Sequence, residues 1–151
     1  DGNFDPAPSY KPFPDSSTGI THMSVKRDVQ HGEGDGSWPV ACCSDNFAKM
    51  FKASYEDMTS HRIEDSAVKL THHDKVLNTA HCPGLITKGA ALATCSKNSV
   101  RLWNTHGTCL AHFRDESGKL RCFDMGRGEQ GGWMLAGGAT SLSLWAMRNG
   151  E

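Results

Sequence analysis

The chain has 151 residues, with 16 basic and 17 acidic side chains and a net charge of −1. A length of this order suits one domain, and a scattered, near-neutral charge balance leaves no electrostatic footprint for nucleic acid or a membrane surface. No run approaches the roughly 18 consecutive apolar residues of a transmembrane helix.

Residues 1–19 carry Pro6, Pro8, Pro12 and Pro14 among serines and glycines, and predict an extended lead-in rather than a folded element. From Ile20 the pattern becomes strand, turn, strand. Strands are expected at 20–26, 38–43, 47–52 and 58–64, with the polar insertion 26–37 as a loop. A second cycle follows at 76–81, 90–95, 99–104 and 108–113, and a third at 119–124, 133–137 and 141–146. Short alternating segments separated by Gly, Asn, Asp and Ser predict all-β hairpin meanders. Gly126, Gly128, Gly131 and Gly132 read as a turn cluster, and no helix is expected after them to make a phosphate cradle.

Three windows align without a gap: VACCSDNFAKMF (40–51), LATCSKNSVRLW (92–103) and MLAGGATSLSLW (134–145). Their terminal aromatics, Phe51, Trp103 and Trp145, stand 52 and 42 residues apart, a period typical of repeat architectures. Alternation places Val100 and Leu102 on one face and Arg101 and Trp103 on the other, with Leu142 and Leu144 against Ser143 and Trp145. Large apolar groups on both faces predict a sheet covered on both sides.

The middle window with its flanks, HHDKVLNTAHCP and NTHGTCLAHF, resembles a WD40 repeat. The last window resembles the inner part of another, and the first is a weaker copy. The resemblance spans residues 20–151, as repeats of about 20–66, 67–115 and 116–151. It implies a partial β-propeller built of four-stranded antiparallel blades. It also implies structural roles for Trp103, Trp145, Phe51 and Asp45.

Blades of this family often bury a hydrogen-bonded set of histidine, hydroxyl residue, turn aspartate and tryptophan. The first repeat offers Asp45 but has Phe51 for the tryptophan. The second offers His72 or His73 and Trp103, with Lys97 at the aspartate position; the third has Ala139 there and no histidine near Asp115. With no complete set, apolar packing is expected to hold the blades. Partner contacts are expected at the turns and inter-blade links: Asp45, Asn46, His72, His73, Asp74, Lys97, Asn98, Arg114 and Asp115.

His106, Cys109 and His112 have a spacing that zinc sites use, but positions 109 and 112 of a strand point to opposite faces, and Cys109 reads as a core residue. No metal, cofactor or catalytic residue is expected, since nucleophile elbow, phosphate loop and zinc-protease motifs are all missing from the sequence. The six cysteines are expected as buried free thiols, which favours cytoplasm or nucleus over a secretory route. The expected function is a non-enzymatic protein-interaction scaffold, a fragment of a propeller whose partners are other proteins or the remaining blades. The competing readings are a small secreted disulfide-bonded enzyme or toxin, and an RNA-binding propeller subunit of a ribonucleoprotein.

Overall fold

The computed structural model describes residues 11–26, 38–54, 67–82, 89–115, 119–128 and 131–148. Among these residues the chain is all β, with no helix long and apolar enough to cross a membrane. Strands β1 (His22–Val25), β2 (Trp38–Ser44), β3 (Phe47–Ala53) and β4 (Val68–Thr71) form a first antiparallel sheet in sequence order. Strands β5 (Val76–His81), β6 (Leu92–Ser96), β7 (Ser99–Trp103) and β8 (Cys109–Arg114) form a second. Strands β9 (Cys122–Gly128), β10 (Gly131–Gly137) and β11 (Leu142–Arg148) form a third.

The three aligned windows become three hairpins of one register. Val40 pairs with Phe51, Leu92 with Trp103 and Met134 with Trp145. At the other end of each hairpin Cys43 pairs with Ala48, Cys95 with Val100 and Gly137 with Leu142. A one-residue slip would reverse every side chain, so this agreement fixes which residues face which neighbour. A backbone clamp repeats as well. The carbonyls of Asp45 and Asn46 accept the amides of Val76 (2.6 Å) and His72 (2.9 Å), and those of Lys97 and Asn98 accept Leu120 and Asp115 (2.9 and 2.8 Å). Each hairpin turn thereby holds the link that enters the next sheet.

The sheets stack face to face, and their first strands lie side by side, β1 against β5 and β5 against β9. Leu92 and Trp103 of the second sheet pack on Ala41, Cys43, Ala48, Met50 and Leu70 of the first. From its other face Ala93, Cys95, Val100 and Leu102 meet Phe123, Met125, Met134 and Ala136 of the third. The middle sheet is thus covered on both sides, as its two-faced apolar pattern demands. Among the described residues no further sheet covers the outer faces of the first and third, although Val40 and Cys42 on the first sheet's outer face are buried. Leu142 and Leu144, on the face of the third sheet turned away from the second, are 70% and 66% exposed. On the free face of the first sheet Met23, Val25 and Trp38 are exposed, while Phe13 of the lead-in lies 5.7 Å from Lys49 Nζ.

Several expectations need correction. The strand that pairs with the outer side of β3 is Val68–Thr71, and the strand expected at 58–64 lies outside the described residues. Val68 and Leu70 alternate with lysine and threonine, and Leu70 is fully buried against the second sheet. Gly126, Gly128, Gly131 and Gly132 belong to β9 and β10 rather than to a turn. Gly126 is required there because a Cβ would lie 2.1 Å from the indole of its cross-strand partner Trp133. Trp145 is half-buried, not buried, beside Phe113 at 6.5 Å.

All six cysteines are unpaired, but Cys109 and Cys122 are exposed, contrary to the expected burial. The reason at Cys109 is a register shift at the Leu102/Trp103 end of the β7–β8 pairing, on an edge strand with little cover. Cys42, Cys82 and Cys95 are buried enough that desolvation pushes their thiols up to about 12.

Candidate functional site

The inter-sheet link of residues 72–75, the β6–β7 turn and the outer half of the β7–β8 pair converge at one rim of the molecule. Their positions follow from the clamp: Asn46 O accepts His72 N, and Asn46 Nδ2 donates to His72 O at 3.2 Å. That double contact fixes His72 against the first hairpin turn and swings its ring into the interface between the first two sheets.

There His72 joins a buried relay. Trp103 Nε1–H donates to Thr94 Oγ1 at 2.7 Å, and the Thr94 hydroxyl lies 2.5 Å from His72 Nε2. A neutral imidazole accepting at Nε2 completes the chain, since indole nitrogen can only donate. Burial, followed by the nearby positive charge of Arg101, pushes the His72 pKa down to about 4 and keeps the ring neutral. The His72 and Trp103 rings are 5.7 Å apart. The structure therefore selects His72 over His73 and adds Thr94, and the second sheet is held by polar as well as apolar contacts. The first sheet has another solution. Asp45, at φ 49°, accepts from Thr18 Oγ1 at 2.7 Å and Ser16 Oγ at 2.9 Å, which holds its carboxyl below the usual range. Ser44 also bonds Ser16, and it donates to Gly19 O at 2.5 Å. Cys42 stands where Thr94 stands in the second sheet, and Ala136 stands there in the third, so neither can form the same relay.

Outside the relay lies a cleft of about 680 Å³. His72, His73, Asp74, Asn98, Arg114 and Asp115, six of the nine residues expected at a partner site, line it together. Arg101 and His112, which the sequence reading did not single out for this role, complete its wall. Cross-strand pairing sets Arg101 beside His112 and Ser99 beside Arg114, so both arginines and His112 share one face. Asn98 Nδ2 donates to Asp74 Oδ2 at 2.8 Å. Arg101 stretches back toward the first sheet, donating from Nη1 to Thr71 O at 3.2 Å with its guanidinium carbon 6.0 Å from the Trp103 ring. His112 is held below its ordinary pKa by desolvation first, then by Arg101 and Arg114. Asp45 and Asn46 sit at the neighbouring hairpin turn instead, and the Lys97 carbonyl serves the clamp to Leu120.

A second polar set joins the inner strands. Ser24 Oγ of β1 lies 3.1 Å from Thr79 Oγ1 and 3.2 Å from His81 Nδ1 of β5, and His22 Nδ1 lies 3.3 Å from Thr79 Oγ1. It forms a seam between the first two sheets. No group of three His, Cys, Asp or Glu residues among the described residues is arranged to hold a metal ion. Comparison with protein-family models gives no match, and comparison with curated proteins gives none either.

Proposed function

We propose that this chain is a non-enzymatic protein-interaction scaffold built of WD40-like repeats, and that its three sheets are consecutive blades of a larger propeller. The observation that carries this reading is the common register of the three hairpins, each with an aromatic or tryptophan opposite the first residue of its window. The repeated clamp and the His72–Thr94–Trp103 relay support it, because both are ways of joining one sheet to the next. Repeat units of this kind gain stability from their neighbours, and the outer faces left open by the first and third sheets are where further repeats would pack.

The apolar groups on those faces set the expected behaviour of the isolated chain. Soluble monomers rarely expose contiguous apolar patches beyond a few hundred Å². In sedimentation velocity the purified chain is therefore expected to self-associate, and to become monodisperse when co-expressed with polypeptide that covers the free faces. A compact, cooperatively melting monomer would refute the dependence on further repeats.

A further inference from the structure

We infer that the rim cleft between the 72–75 link and the β7–β8 pair binds a phosphoryl group, held by Arg101 and Arg114 with His73 and His112 beside them. This stands on the chemistry of the cleft alone and does not require the scaffold reading.

Arg101 is the first reason. Its Nε is the one buried side-chain nitrogen or oxygen without a hydrogen-bond partner among the described residues. A buried, charged donor left unmade is costly, and natural structures keep such groups where something outside the fold completes them. The residue is not loose, since Thr71 O holds Nη1 and the Trp103 ring flanks the guanidinium. Arg101 lines the cleft, and a small turn of its guanidinium would bring the covered Nε to an acceptor seated there.

The second reason is the company it keeps. Diagonal cross-strand neighbours such as Arg101 and Arg114 sit about 7–8 Å apart, within reach of long side chains of like charge. Here two arginines and His112 occupy adjoining positions of the β7–β8 pair on one face. Desolvation first, and then both arginines, oppose the protonation of His112. On the acidic side, Asp74, held by Asn98, and Asp115 line the same cleft, so a phosphoryl group must seat toward the two arginines and away from these carboxylates. A doubly charged, three-oxygen acceptor suits donors that approach from β7, from β8 and from the 72–75 link, whereas a planar carboxylate satisfies one guanidinium fork. The volume, about 680 Å³, leaves room for the body of a molecule that carries the phosphoryl group.

Isothermal titration calorimetry of the 151-residue chain tests this, with inorganic phosphate, O-phosphoserine within a short neutral peptide, and acetate as probes at constant ionic strength. Saturable binding of phosphate or of the phosphopeptide is expected, with acetate weaker by at least about tenfold. The tighter of the two phosphoryl probes identifies the source, a presented phosphorylated residue or a small phosphorylated molecule. Arg114→Ala and His112→Ala alter exposed side chains and should keep the fold, as far-ultraviolet circular dichroism would verify. Arg114→Ala should weaken phosphoryl binding about tenfold or more, and Arg101→Lys, which keeps charge but loses the fork, should weaken it as well. Absence of saturable phosphoryl binding by the folded chain would overturn the inference. So would equal affinity for acetate, or binding indifferent to Arg114→Ala.

Discussion

Thr94 is the residue on which the junction of the first two sheets turns, because one hydroxyl satisfies two buried ring nitrogens. Thr94→Val keeps shape but strands the Trp103 N–H and the His72 Nε2, each at about 1–3 kcal/mol. Trp103→Phe removes one of those needs and should cost less than Trp103→Ala, for which about 3–5 kcal/mol is expected from cavity formation. In urea unfolding the double variant Thr94→Val/Trp103→Phe should therefore be less destabilised than the sum of its parts; strict additivity would show that the relay is not a unit. His72 adds a dependence on pH. Its folded pKa of about 4 lies below the ordinary 6.5, so between these values the unfolded chain binds the extra proton. Stability is then fully present above about pH 6.5 and falls as the pH drops toward 4, with no further loss from this group below that. His22 and His112 are lowered too and act in the same sense. Denaturation midpoints at pH 7.5, 6, 5 and 4 would follow this, and His72→Gln should flatten the curve. The sequence made Trp103 and a nearby histidine legible, because a terminal aromatic in an alternating strand and an HH pair before a strand are local signals. Thr94 was hidden, since a lone threonine in a strand is equally at home on any face. Arg101 was hidden for a different reason: its donor finds use only beside Thr71 of another sheet.

At the scale of the element, hairpin positions were legible wherever a polar turn separated two alternating segments. The β4 strand was not, because at four residues Val68–Thr71 is a short signal, although Val68 and Leu70 alternate with Lys69 and Thr71 and contact with the second sheet buries Leu70. The glycines of β9 and β10 misled for a related reason. Glycine usually marks a turn, but Gly126 serves here as the space into which a cross-strand tryptophan lies. Gly126→Val should destabilise the third sheet by about 1–3 kcal/mol through overpacking, and Trp133→Ala in the same chain should recover part of that loss. Thermal unfolding of the single and double variants checks it; a Gly126→Val chain as stable as the parent would mean that Trp133 is free to lie elsewhere. The face of β11 was only half legible. Its leucines announce an apolar face, but strand periodicity cannot say whether a neighbour is there to cover it.

For the whole molecule, the exposed leucines give the most direct handle. Leu142→Lys with Leu144→Lys changes side chains that are already in solvent, so the melting temperature should barely move, within the roughly 0.5 kcal/mol typical of surface changes. Solubility and the proportion of monomer in sedimentation should both rise. A large fall in stability instead would show that these leucines are packed in the isolated chain.

The stacking of the sheets also gives the molecule an arrow. The second sheet shows Leu92 and Trp103 to the sheet before it and Ala93, Cys95, Val100 and Leu102 to the sheet after it. Its two surfaces are unlike, and both internal junctions join a front to a back. Growth from such an interface is heterologous: it runs head to tail and stops only when a circle closes or an end is blocked. A chain whose Leu142/Leu144 face is charged retains its other end, so it can still join a growing row and then prevent the next addition. Small amounts of such a one-sided chain should act as a terminator, shortening assemblies of the parent out of proportion to its abundance.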